Sequence, residues 1–179
     1  MPLIQKAKKA IRKASIRASF RPWILKNANT NVKQLLWRGK IGGKEIVVKG
    51  SRTPKEHTNE QRRRLLAIKN LEILQGKKYE LRISKRYPAP HGKRLELYYD
   101  LPTRDEVLDI YIQRVSPKVA KLLKKTGLSP HELHEKCEEA FKELYDKQHK
   151  LDLFIDTYAG NVLVDVNTRG KIVFTLIDF

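Results

Sequence analysis

Ile4, Ala7, Ile11, Ala14 and Ala18 recur at three- and four-residue spacing with Lys and Arg between them. That pattern predicts a basic amphipathic helix over 3–18. Its apolar stripe is mostly alanine, so insertion into lipid would be weak. The helix or arm is expected to pack on the domain with its basic face free. The period changes at Phe20. Phe20 to Leu25, Val32 to Ile41 and Glu45 to Lys49 read as strands. The asparagine-rich break 26–31 and the Gly42-Gly43 turn separate them.

A helix is then predicted from Thr53-Pro54-Lys55-Glu56. Thr53 can cap it, Pro54 suits the first helical position and Glu56 completes a capping box. The apolar period carries it to Gln75, where Gly76 ends it. At about 100° per residue, Ala67, Leu71 and Leu74 fall within roughly 40° of Glu60. Glu60 therefore shares the inward face, where an acid is costly unless it meets a cation. Glu72 points elsewhere. Alternation from Tyr79 to Arg86 and from Arg94 to Tyr99 predicts two more strands, joined through 88–92.

From Thr103 onward the pattern is helical. Thr103 caps a helix over 104–114, a second spans 117–126 and ends at Gly127, and Ser129 caps a long one from Pro130 to about His149. Leu133, Cys137, Ala140, Phe141 and Leu144 form the buried stripe of the long helix. The chain closes on two apolar strands, 162–164 and 172–177, around the turn residues Asn167-Thr168-Arg169-Gly170.

Charge adds a polarity that hydropathy does not show. The net charge is +18. Residues 1–100 hold 26 Lys and Arg against 7 Asp and Glu, whereas residues 101–179 hold 12 against 13. The excess lies in the first half, which points to an anionic partner: nucleic acid, a phosphorylated substrate or an anionic membrane surface. The single cysteine, Cys137, excludes an intrachain disulfide and reads as buried and inert. His131 and His134 lie three apart on a helix with no third ligand in the pattern and read as surface residues. No apolar run has the length of a transmembrane segment, and no signal-peptide block opens the chain. The expected location is the cytoplasm, with peripheral attachment to a membrane left open.

The chemistry concentrates in Leu151 to Phe179. Asp156 and Asn161 are five residues apart, and the hairpin leads from Asn161 to Asp178. An Asn opening one strand and an Asp closing its partner bring two oxygen donors together, which suits magnesium and phosphate. Asp156 on the preceding loop could orient an attacking hydroxyl. This arrangement resembles the protein-kinase-like superfamily, with its Asp, four residues, an Asn, and a hairpin ending in Asp-Phe-Gly. Here the Asp-Phe is Asp178-Phe179, and the chain stops. The strand EIVVKG resembles the family's Val-Ala-Ile-Lys strand, with Lys49 at the lysine position. The string HTNEQRRRLL resembles the family's next helix and points to Glu60.

The resemblance covers about 20–179 and implies an α+β, two-lobed protein-kinase-like fold. Its N-lobe (20–100) would hold a five-stranded antiparallel sheet and one main helix, with residues 1–19 as a basic arm. Its C-lobe (101–179) would be short and helical with a β-hairpin, and Asp100-Leu101-Pro102 would be the hinge. It also implies an ATP- and magnesium-dependent phosphotransferase. Lys49 would hold phosphates and Glu60 would position it. Asn161 and Asp178 would bind Mg2+, and Asp156 would be the catalytic base. Phe154-Ile155 replaces the family's His-Arg, which argues against control by activation-loop phosphorylation. Segment 27–31 stands where the family has a glycine-rich loop. The ending implies a trimmed or minimal member; in the second case a small, lipid-linked or nucleic-acid hydroxyl is favoured over a peptide as acceptor. The rival reading is a non-catalytic module, either a pseudokinase or a basic domain that binds nucleic acid or an anionic surface.

Overall fold

A computed structural model describes residues 21–25, 34–41, 43–50, 54–87, 93–111, 115–153, 155 and 157–177. The basic helix over 3–18, the asparagine-rich segment 27–31, the cap Thr53 and the connection 88–92 lie outside the described residues. The fold is α+β, built as two compact units. One comprises 1–59 and 85–99, the other 60–84 and 100–179.

The first unit is an antiparallel sheet. Its strands are β1 (Arg21–Leu25), β2 (Gln34–Ile41), β3 (Lys44–Gly50), β5 (Arg86–Tyr87) and β6 (Lys93–Leu97). They lie in the order β1-β2-β3-β6-β5. Ile41 pairs with Lys44 across a two-residue turn, and Gly43 takes a φ of +78°. A side chain there would be strained, which is why the turn carries glycine. Arg86 faces Glu96 across β5 and β6 with Nε 2.8 Å from Oε1, and both side chains are largely buried. Burying either charge alone would be strongly unfavourable, so the pair fixes the register of this short edge strand.

Helix α1 (Pro54–Lys69) follows β3. It stops earlier than its apolar period suggests, and residues 70–74 continue as turns. The backbone tightens there: the Leu71 amide donates to the Ile68 carbonyl at 3.3 Å, three residues back, while Asn70 Nδ2 joins the Asn70 amide on the Leu66 carbonyl at 2.8 Å. Gly76 then passes against the Tyr79 ring, where a β-carbon would sit 2.1 Å from a ring atom. The Tyr79 hydroxyl donates back to the Leu74 carbonyl.

The expected strand Tyr79 to Arg86 is in fact two strands in different sheets. β4 (Tyr79–Ile83) pairs in parallel with β8 (Ile172–Leu176), while Arg86–Tyr87 joins the five-stranded sheet. β7 (Val162–Val166) pairs antiparallel with β8, which gives a mixed sheet of order β4-β8-β7. The physical reason is burial. Tyr79 and Leu81 enter the core of the second unit with Phe174, whose ring centre lies 5.8 Å from that of Tyr79. All five residues of β8 are buried, as suits the middle strand of a covered sheet.

The helices of this unit are α2 (Arg104–Leu108), α3 (Pro117–Thr126) and α4 (Pro130–Lys150). Short 3-10 turns occupy Asp109–Tyr111 and Ala159–Asn161. Helix α2 is much shorter than the expected 104–114: the backbone tightens into the 3-10 turn at Asp109, and 112–114 lie outside the described residues. The Ser129 hydroxyl accepts from the Glu132 amide, and the Glu132 carboxylate accepts from the Ser129 amide at 2.7 Å. The Ser129 amide, and then its hydroxyl, hold the Glu132 carboxyl below the usual carboxylate range. Leu133, Cys137, Ala140 and Leu144 line the core, with Phe141 packed against it. The Arg104 guanidinium stacks 3.4 Å from the centre of the Phe141 ring. Burial pulls its pKa below the usual value, and the ring face supplies part of the compensation for its buried Nε and Nη1, which have no hydrogen-bond partner among the described residues.

Candidate active site

The hairpin is built by local bonds. Asn167 Oδ1 accepts from the amides of Arg169, at 2.9 Å, and Lys171, at 3.1 Å. Gly170 closes the turn with a φ of +73°. Asn167 Nδ2 also reaches Glu80 Oε2 at 3.3 Å and so ties the turn to β4. The Arg82 side chain, and after it that bond, hold the Glu80 carboxyl below the usual range.

The open end of the hairpin carries the candidate chemistry. Val162 pairs with Leu176, and the Ile177 amide donates to the Asn161 carbonyl at 3.0 Å. Asn161 therefore faces the residue immediately before Asp178. Asp178 and Phe179 lie outside the described residues, as do Phe154 and Asp156. Asn161 also donates its amide to the Tyr158 carbonyl at 2.8 Å, which forms the turn that delivers it to β7.

The expected hinge Asp100-Leu101-Pro102 ends beside β7. The Val164 amide donates to the Pro102 carbonyl at 2.9 Å, and Thr103 bridges to Leu163. Thr103 then caps α2 in a capping box with Glu106. Asp105, in the first turn of α2, stands beside the loop: a β-carbon on Gly160 would be 3.6 Å from Asp105 Oδ2. Sequence reasoning missed this carboxylate as a site residue. An acid in a first helical turn is accounted for by the helix dipole alone, so the pattern carries no further signal.

Gln148 is a second residue that the sequence reading passed over. It is buried on the α4 stripe, its Oε1 accepts from the Ile155 amide at 3.2 Å, and its carbonyl accepts from the Leu153 amide at 3.0 Å. It thus anchors the chain on either side of Phe154, immediately before Asp156. The signal was present: Gln148 falls four residues after Leu144, a polar residue on an otherwise apolar face.

Glu60 is buried, as its helical position requires, and Glu72, in the turns beyond the helix, is exposed. The Lys49 backbone pairs with Leu36 and Arg94, and its side chain lies outside the described residues. Cys137 is buried, and burial pushes its thiol up to about 12. His131 is exposed, with Nε2 3.6 Å from Glu135 Oε1. It lines an open groove of about 680 Å³ with Tyr111, His134, Glu135, Glu138 and Glu139, and none of these residues belongs to the hairpin. Among the described residues no group of three or more His, Cys, Asp and Glu is arranged to hold a metal ion. Among them, too, no helix is long and apolar enough to cross a membrane. No family model matches the chain, and no curated protein matches it.

Proposed function

We propose that this protein is an ATP- and magnesium-dependent phosphotransferase of the protein-kinase-like type. The observation that carries the reading is the Asn161–Ile177 pairing, which sets the Asn at one strand end opposite the residue before Asp178. The antiparallel five-stranded sheet, with α1 following its third strand, supports the N-lobe layout that the resemblance implies. The parallel strand β4 departs from it. The donor pair of Asn161 and Asp178 offers only oxygen, which fits magnesium.

In this reading Asn161 and Asp178 would hold Mg2+, and Lys49 would bind phosphates with Glu60 as its counter-charge. Magnesium nucleotide would supply the phosphoryl group and offset the charge on it. Asp156 would accept a hydrogen bond from the acceptor hydroxyl and aim it. Gln148 would position the loop that carries Asp156. The positive first half would attract an anionic acceptor or surface, and a cytoplasmic location suits both nucleotide and free thiol.

Calorimetric titration with ATP, with and without magnesium, tests the reading. Binding should require the metal in the wild type and disappear in Asp178→Ala, with the thermal transition retained. Unchanged binding in Asp178→Ala would remove the metal assignment.

A further inference from the structure

We propose that the outer face of α1 docks this protein on an anionic lipid surface. The inward arc of α1 carries Glu60 and Ala67, both buried. Outside that arc large aliphatic side chains stay uncovered, Leu65 opposite it and Leu66 and Ile68 about 100° from Ala67 on its two flanks. Leu65 is 66% exposed, Leu66 41% and Ile68 47%, and Ile73, just past the helix, is 53% exposed. Solvating four such side chains within nine residues is unfavourable, and clustered exposed apolar residues mark an interaction surface.

Charge on the outer face selects the occupant. At about 100° per residue, Arg62 and Lys69 fall between Leu65 and Leu66 on the helix surface. Both are exposed, as is Arg63, and Glu72 is the acid nearby. Lys69 among the aliphatic residues suits a protein partner poorly, because the centre of a protein interface is depleted of lysine. A second copy suits it no better: antiparallel pairing about the 65–66 midpoint sets Arg62 against Lys69 of the other copy. A lipid surface accepts this pattern. Arg62 and Lys69, farthest from the buried arc, meet the lipid phosphates, and the aliphatic Leu65 and Leu66 on either side of them enter the headgroup boundary. The net charge of +18 acts in the same direction on any anionic leaflet.

The proposal is independent of phosphoryl transfer. Co-flotation of the full chain with phosphatidylcholine vesicles containing about 30% phosphatidylglycerol, against phosphatidylcholine alone, tests it. The wild type should partition onto the anionic vesicles only. Leu65→Gln with Leu66→Gln keeps helix propensity and should lower that partition about tenfold, with nucleotide binding and the thermal transition unchanged. Arg62→Gln with Lys69→Gln should lower it to a similar extent. Equal flotation on neutral vesicles, or none on either, overturns the proposal. So does wild-type partition by the Leu65/Leu66 variant, which would assign binding to charge elsewhere in the basic half. A dimer in sedimentation that Leu65→Gln dissociates would assign the face to a second copy instead.

Discussion

Gln148 Oε1 accepts a hydrogen bond from the Ile155 amide at 3.2 Å, so a buried side chain at the end of α4 holds the chain next to Asp156. Gln148→Leu keeps the volume and removes the acceptor. The orphaned amide should cost about 1–3 kcal/mol, a fall of roughly 2–4 °C in Tm per kcal/mol for a chain of this size. If Gln148 positions the loop, kcat should fall further than nucleotide affinity. A variant with lower Tm but wild-type kcat would leave Gln148 a purely structural role.

Asp156→Ala should separate chemistry from binding. A base that aims the acceptor contributes to the transition state more than to the affinity for nucleotide. Magnesium–ATP affinity should stay near wild type while turnover, or autophosphorylation in the absence of a known acceptor, drops about a hundredfold or more. Wild-type turnover would take Asp156 out of the site.

Gly76→Ala should destabilise the fold through sterics alone. The added β-carbon would lie 2.1 Å from the Tyr79 ring, and that ring is buried against Phe174. The expected cost is about 1–3 kcal/mol by urea denaturation. Combining it with Tyr79→Leu, which removes the ring, should give a total cost well below the sum of the single costs. Strict additivity would mean that the backbone shifts and the ring is not the obstacle.

Alkaline pH should weaken the fold through Cys137. Its thiol is buried, and burial raises it from an ordinary value of 9.0 to about 12, against the opposing pull of nearby Arg104. Above about pH 9 the unfolded chain releases this proton while the folded chain keeps it, so the unfolded state binds fewer protons and stability falls as pH rises. The slope approaches about 1.4 kcal/mol per pH unit for one group. Between pH 9 and pH 10, below the ordinary ionisation of Tyr79 at 10.0, Cys137→Val should flatten the decline in urea midpoint. Identical slopes in both proteins would assign the decline to other groups.

Much of the fold was legible because it rests on bonds between near neighbours. Ser129 caps α4, Gly127 ends α3 in the left-handed region, and Asn167 and Gly170 turn the hairpin through bonds that reach no further than four residues. The same holds for the faces of helices. Glu60 with Ala67, and Leu133 with Cys137, Ala140 and Leu144, are buried as 3.6-residue periodicity requires. What only the tertiary structure decided depends on partners distant in sequence. Tyr79–Ile83 alternates like any half-buried strand, and nothing local tells it to leave the neighbouring strand and lie parallel to Ile172–Leu176. The choice follows from where Tyr79 and Leu81 find the most apolar cover, beside Phe174 and Leu144. Asp105 beside Gly160 and Gln148 under Ile155 came to light for the same reason. A polar side chain's role is set by the backbone it meets, and those meetings exist only once the second unit has closed around its core.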